Sequence, residues 1–131
     1  MDAVALKSKM NTILPDVDFE KGLRLSVNSM ENYKKALYCA LKSIRFKLPL
    51  LDSMITTDEY DGLRVITRTL GQLLTNIGAD KLAERGYSLE YIVLNEEISV
   101  LQDETIQYYN ELAYFMETLE EAFPARSKKI G

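Results

Sequence analysis

The chain has 131 residues and a mass of 15.0 kDa, which suits one domain built around one core. Its 16 basic and 20 acidic residues give a formal net charge of -4, whereas nucleic-acid-binding domains are normally basic, so we expect no nucleic-acid partner. Histidine is absent, which excludes catalytic triads, histidine general bases, glutamate–histidine di-iron sites and most zinc sites.

Helical periodicity begins at the N-terminus, and no segment shows the sustained period-two alternation of a strand. Residues 1–14 carry a weak helical pattern that a proline ends. A short helix follows, with Asp16 or Asp18 as its cap and with Phe19 and Leu23 on its inward face.

The first long helix is predicted from apolar residues that recur at three- and four-residue steps, and Ser29 is its candidate N-cap. The apolar stripe comprises Met30, Tyr33, Leu37, Ala40, Ile44, Leu48 and Leu51. Pro49 lies inside this stripe and predicts either a kink or the end of the helix near Leu48. The helix is basic, with Lys34, Lys35, Lys42, Arg45 and Lys47 against Glu31.

The second long helix is predicted to begin after Thr57 or Thr56, either of which supplies a capping oxygen. Acidic residues favour the positive end of the helix dipole, and here they are Asp58, Glu59 and Asp61. The inward stripe is Leu63, Ile66, Leu70, Leu73 and Ile77. Gly78 follows as the predicted C-terminal cap.

Two more long helices complete the pattern. The third starts at Ala79 or Asp80, and its inner face comprises Leu82, Gly86, Leu89 and Val93. Glycine destabilises a helix interior by about 1 kcal/mol relative to alanine, so Gly86 predicts a close approach by a neighbouring helix. The fourth ends before Pro124, and its stripe comprises Ile98, Leu101, Thr105, Tyr108, Leu112, Phe115, Leu119 and Ala122.

Four long amphipathic helices with short connections predict an all-α fold, an antiparallel up-down-up-down four-helix bundle with a short additional N-terminal helix. We assign residues 1–15 to a partly helical N-terminal segment, 16–124 to the bundle and 125–131 to a flexible tail. In this topology the first and last long helices are neighbours. The first is basic. The last is acidic, because no Lys or Arg lies between Gly86 and Ala125, so complementary charges support the pairing.

Most residues that could carry chemistry have a structural interpretation. The acidic residues of the last helix are typical of a solvated face, so we expect no metal and no cofactor. Tyr33 and Tyr108 are interpreted as core packing, and Cys39 as a small structural residue without activation. We expect no membrane association, because no apolar run approaches the ~18 residues needed to span a bilayer. The N-terminal apolar stretch contains charges and does not resemble a signal peptide, so the expected location is the cytoplasm.

One stretch, RVITRTLGQLLTNIGADKLAE at residues 64–84, resembles the central motif of histidine-phosphotransfer (HPt) domains. That motif runs His-x-Leu-Lys-Gly/Ser, four variable residues, an aliphatic residue, Gly and Ala, and a helix that begins roughly Ala-x-x-Leu-Ala follows. The positions that match without gaps are Leu70, Asn76, Ile77, Gly78, Ala79, Leu82 and Ala83. The resemblance covers roughly residues 16–123 and implies a four-helix bundle with a short extra N-terminal helix.

The departures from that motif fall on its reactive residues. Arg68 stands where the family has its phospho-accepting histidine, Gly71 replaces the lysine, and Gln72 replaces the small residue after it. Phosphotransfer needs an imidazole lone pair, whereas a guanidinium stays protonated and has no acceptor. We therefore expect no phosphotransfer and no other enzymatic activity. The helical pattern places Arg64, Arg68, Gly71, Gln72 and Thr75 opposite the apolar stripe, with Arg68 pointing to solvent.

The resemblance implies partners from two-component phosphorelay signalling, either receiver domains of response regulators or sensor kinases. In this interpretation the chain is an HPt-like protein-binding module that cannot accept phosphate, and Arg64, Arg68, Gln72 and Thr75 form its candidate docking surface. Two alternatives remain open. One is a structural or assembly bundle with no signalling role, and Arg68 is then an ordinary solvent-facing residue. The other is an enzyme with a metal held by carboxylates alone.

Overall fold

The computed structural model describes residues 3–57, 59–95 and 98–122. These residues form six helices, and none of them lies in a strand. The helices are α1 (Ala3–Ile13), α2 (Phe19–Leu25), α3 (Met30–Thr57), α4 (Tyr60–Asn76), α5 (Asp80–Leu94) and α6 (Ile98–Ala122). The prediction of an all-α chain is confirmed for this part of the molecule. The predicted tail, 125–131, lies outside the described residues.

The four long helices contact one another in a closed ring. Helix α3 packs against α4 and α6, and α5 packs against α4 and α6. Their inward stripes form one apolar core, with Tyr33, Leu70 and Leu112 among its fully buried side chains. Leu6 and Met10 of α1 belong to the same core, so the N-terminal helix covers part of the bundle.

Two of the predicted helix caps are present. The Asp18 carboxylate accepts a hydrogen bond from the Lys21 backbone N–H at 3.1 Å and caps α2. The Ser29 hydroxyl accepts one from the Asn32 backbone N–H at 3.2 Å and caps α3. Both side chains satisfy donors that the first turn of a helix leaves without an intrahelical partner.

The junction between α3 and α4 excludes one of the two outcomes predicted for Pro49 and corrects the predicted cap of α4. Helix α3 does not end near Leu48 but continues through Pro49 to Thr57. Pro49 is exposed and Leu51 is fully buried, so core packing of the last two turns outweighs the missing backbone donor.

Thr57 is not a cap of α4. It is the last residue of α3, and its hydroxyl donates back to the Ser53 carbonyl at 2.9 Å. Thr56 also lies within α3, and Asp58 lies outside the described residues. The N-cap position of α4 is taken by Glu59, which makes no side-chain capping bond. The predicted acidic first turn is present at Asp61.

Helix α4 ends at Asn76, and Gly78 terminates it as predicted, because its φ of +86° lies in the left-handed region that favours glycine. The Ala79 N–H donates to the Leu74 carbonyl at 2.8 Å, and the Gly78 N–H donates to the Thr75 carbonyl at 3.1 Å. These two hydrogen bonds form a Schellman motif. A Cβ at Gly78 would lie 1.9 Å from the Asp18 carbonyl oxygen. The start of α2 therefore packs directly on the turn between α4 and α5.

Gly86 confirms the predicted close approach in α5. It is buried, and a Cβ there would lie 2.8 Å from the Tyr108 hydroxyl and 3.4 Å from the Thr67 carbonyl oxygen. The α6 stripe is also confirmed from Leu101 to Leu119, whereas the Ile98 side chain lies outside the described residues. Glycine at this point lets α5 fit between a tyrosine of α6 and the backbone of α4.

Charge and polarity outside the core follow the predicted pattern in part. Arg45 of basic α3 pairs with Glu120 of acidic α6, so opposite charges meet at the edge between these neighbouring helices.

Cys39 is exposed and takes no part in the core. Among the described residues, no helix combines the length and the apolar character that crossing a bilayer requires.

Candidate functional site

The outward side of α4 carries most of the residues that the sequence marks as a site. Arg68 is 60% exposed and Gln72 is exposed, whereas Arg64 and Thr75 are half-buried. Together with Tyr87 and Glu90 of α5, these four residues are called the arginine surface below. The predicted docking residues thus lie along one helix and meet α5 at its edge.

Gly71 was predicted to lie on this exposed face, but the structure buries it. The buried positions of α4 are Leu63, Ile66, Thr67, Leu70, Gly71 and Leu74, and Leu73 of the predicted stripe is only half-buried. Helix α4 packs against both α3 and α5, so its buried arc is wider than one stripe.

Tyr87 of α5 covers Gly71. A Cβ at Gly71 would lie 2.7 Å from Cε1 and Cζ of the Tyr87 ring and 2.9 Å from its hydroxyl. Tyr87 remains 39% exposed, so its ring forms part of the outer surface while it fills the space that a side chain at Gly71 would need. The surface beside Gly71 is therefore formed by an aromatic ring from the next helix.

Glu90 of α5 joins the two arginines of α4. Arg68 donates from Nη2 to Glu90 Oε1, and Arg64 Nη2 lies 3.9 Å from the same oxygen. The Glu90 side chain is only 13% exposed, whereas Arg68 stays mostly in solvent. Two guanidinium groups therefore share one carboxylate, which leaves a local charge of about +1 and unused Arg68 donors that face outward.

The threonines of α4 are turned toward their own helix. The Thr75 hydroxyl donates to the Gly71 carbonyl at 2.8 Å, and the Thr67 hydroxyl donates to the Arg64 carbonyl at 3.0 Å. Such back-bonding occupies the hydroxyl proton within the helix. The arginine side chains are therefore the main donors that this surface can offer to another molecule.

Glu90 and Tyr87 are the site residues that sequence reasoning missed. From the sequence, neither of them is assigned to a site. Their signal is positional: Arg68 and Glu90 lie equally far from Ala79 along the chain on either side, and so do Gly71 and Tyr87. Residues equally spaced from a tight interhelical turn tend to meet across the two helices it joins.

This arrangement is suited to binding an anionic group. A guanidinium forms two parallel, charge-assisted hydrogen bonds with a carboxylate, and the exposed part of Arg68 has the donors for one such pair. The chain contains no histidine, so an imidazole nucleophile is absent from the whole sequence. Among the described residues, no group of three or more Cys, Asp or Glu side chains is placed to share a metal ion.

Comparisons with known proteins give no assignment. No protein-family model matches the chain, and neither curated proteins nor solved structures give a match.

Proposed function

We propose that this chain is an HPt-like helical bundle of the cytoplasm that binds receiver domains or sensor kinases and does not itself carry phosphate. The observation that carries the proposal is the exposed Arg68 guanidinium at the position where the resembled family has its histidine. It lies on α4 and is oriented by Glu90, which makes it a preformed donor for an acidic partner surface.

The proposed topology is the antiparallel up-down-up-down bundle of that family, and residue contacts support it. Tyr33 near the start of α3 donates to the Ile77 carbonyl just after α4, at 2.9 Å. Met54 near the end of α3 lies beside Gly62 near the start of α4, since a Cβ at Gly62 would lie 2.9 Å from Met54 Cε. The ring of contacts among α3, α4, α5 and α6 agrees with the same arrangement.

The proposed mechanism is blocking in place of transfer. Receivers, as a family, hold acidic side chains around their phospho-accepting aspartate. Arg68 is aimed at that cluster if the bundle docks in the family manner, and the basic residues of α3 add long-range attraction. The guanidinium then occupies the place of the divalent metal and sequesters the unphosphorylated receiver, because it pairs with the carboxylates but cannot accept a phosphoryl group.

Titration calorimetry of purified receiver domains from the source organism tests this function. We expect at least one receiver to bind and Arg68→Ala to weaken that binding roughly 10- to 100-fold, since a hydrogen bond to a charged group contributes about 1.5–3 kcal/mol. Arg24→Ala is the matched control, because Arg24 is an exposed arginine on α2, outside the arginine surface. Equal affinity of Arg68→Ala and the wild type would mean that Arg68 is only a solvated residue.

A further inference from the structure

Helix α3 presents a strip of exposed residues on the outside of the bundle. The strip comprises Lys35, Lys42, Phe46 and Leu50, and it is called the basic strip below. These positions are spaced by seven and four residues, so they share one face of the helix. The Phe46 ring is 74% exposed, which is a large apolar side chain to leave in water. Lys35 pairs with Glu31, with 3.6 Å between Nζ and Oε1, whereas Lys42 forms no ion pair with another described residue.

Helix α6 presents a second strip with the opposite charge. The acidic strip comprises Asp103, Ile106, Asn110, Tyr114, Glu117 and Glu121, all exposed. Tyr114 is 64% exposed, and among the described residues no ion pair engages the three carboxylates. Three negative charges and no positive one make two such strips repel each other, so the acidic strip suits a basic partner.

We propose that the basic strip of one copy of this chain packs against the acidic strip of a second copy. With the two helices antiparallel and Phe46 on Tyr114, Lys42 lies about 6 Å and Glu117 about 4.5 Å from that aromatic pair along the helix axes. Leu50 then lies opposite Asn110 on the other side, about 6 Å from the pair.

The same register brings Lys35 toward Glu121. Along the helix axes Lys35 lies about 16 Å and Glu121 about 10 Å from the aromatic pair. The long, flexible lysine side chain can cover the difference of about 6 Å. One alignment therefore places the two aromatic rings together and brings both lysines of the basic strip toward Glu117 and Glu121 of the acidic strip. The Phe46–Tyr114 contact removes apolar surface from water, and the lysine–glutamate pairs set the register.

Such an interface is heterologous, because two different surfaces meet. Each pair of molecules keeps one basic strip and one acidic strip unoccupied, so further copies can add head to tail. The inference does not rest on receiver binding, since it needs neither Arg68 nor Glu90 and uses Lys35 and Lys42 for direct pairing with a second copy. Association of this kind is expected to be weak and to weaken further in high salt, because its ion pairs are exposed.

Sedimentation velocity of the full chain, over concentrations up to about 1 mM, tests the interface. We expect the mean mass to rise with concentration at low salt, and Phe46→Ser and Tyr114→Ser each to reduce it to that of a monomer. Tyr91→Ser on α5 is the matched control, because Tyr91 is 63% exposed and belongs to neither strip. A wild-type chain that stays monomeric throughout, or a control that loses association equally, overturns the proposal.

Mixing the two variants gives the sharper result. Phe46→Ser keeps an intact acidic strip and Tyr114→Ser keeps an intact basic strip, so an equimolar mixture should form dimers that do not grow further. A mixture that remains monomeric while the wild type associates overturns the head-to-tail pairing.

Charge reversal tests the register. Lys42→Glu alone should weaken association several-fold, and Lys42→Glu with Glu117→Lys in the same chain should restore it, because both strips then carry exchanged charges. A double variant as weak as the single one contradicts the assigned register.

Discussion

Tyr33 and Tyr108 occupy equally buried places but differ in hydrogen bonding. Both side chains are 0% exposed, and burial raises the pKa of both phenols above the usual value of a tyrosine. The Tyr33 hydroxyl donates to the Ile77 carbonyl at 2.9 Å, whereas the Tyr108 hydroxyl has no hydrogen-bond partner among the described residues. Only the first hydroxyl therefore offsets the loss of its hydration with a protein hydrogen bond.

Replacing each tyrosine with phenylalanine separates the two cases. We expect Tyr33→Phe to lower the free energy of unfolding by about 1 kcal/mol, because it leaves the buried Ile77 carbonyl without this donor. Tyr108→Phe should leave stability unchanged or raise it, since it removes an unpaired buried hydroxyl. Urea unfolding of the two variants measures the difference, and an equal loss in both would show that the Tyr108 hydroxyl has a partner in solution.

Gly86 provides a second test at the scale of one residue. We expect Gly86→Leu to lower the free energy of unfolding by roughly 1–3 kcal/mol, because a larger side chain must displace Tyr108 or separate α5 from α4. Ser88→Leu is the control, since Ser88 is exposed on the same helix. Denaturant melts compare the two, and a Gly86→Leu chain as stable as the control would show that the contact is not tight.

Gly86 and Gly71 show what the sequence can reveal about single residues. Gly86 was predicted to mark a close approach because glycine is unfavourable in a helix interior. Gly71 was placed on the wrong side, since one apolar stripe does not indicate that a second neighbour widens the buried arc. The covering ring of Tyr87 comes from another helix, and the periodicity of α4 contains no information about it.

At the scale of one element, α3 departs from the rule that a proline ends a helix. A proline inside a helix removes one backbone donor and clashes with the preceding turn, yet α3 continues for two more turns beyond Pro49. Leu51 in this extension is fully buried. Tertiary packing therefore determines the end of this helix, whereas Gly78 ends α4 through its own backbone conformation and was predicted correctly.

Pro49→Ala tests this balance. We expect it to raise the free energy of unfolding by about 1–2 kcal/mol, because alanine restores the backbone donor and removes the ring clash. Pro49 is exposed, so no core contact is lost. Urea unfolding with circular dichroism detection gives the value. A destabilised Pro49→Ala chain would mean that a proline-induced bend is needed for α3 to pack on α4 and α6.

At the scale of the molecule, the charge pattern and the helix order were readable from the sequence. The pairing of α3 with α6 was predicted from the four-helix topology with the charge contrast as support, and Arg45 with Glu120 provides one contact of that kind. Only part of the candidate site could be predicted from the sequence. Arg68 was singled out by the resemblance to the HPt motif, and helical periodicity placed Arg64 on the same face. The role of Glu90 depends on how α5 packs beside them, which helical periodicity alone does not give.

The magnesium dependence of receiver binding tests the central claim most directly. If Arg68 occupies the acidic pocket of a receiver, magnesium competes for the same carboxylates and must weaken binding of the wild-type chain. Arg68→Ala, which lacks the competing cation, should lose most of this dependence. Calorimetric titrations of the unphosphorylated receiver with and without magnesium provide the comparison. An affinity of the wild-type chain that is the same in both conditions would contradict the blocking mechanism.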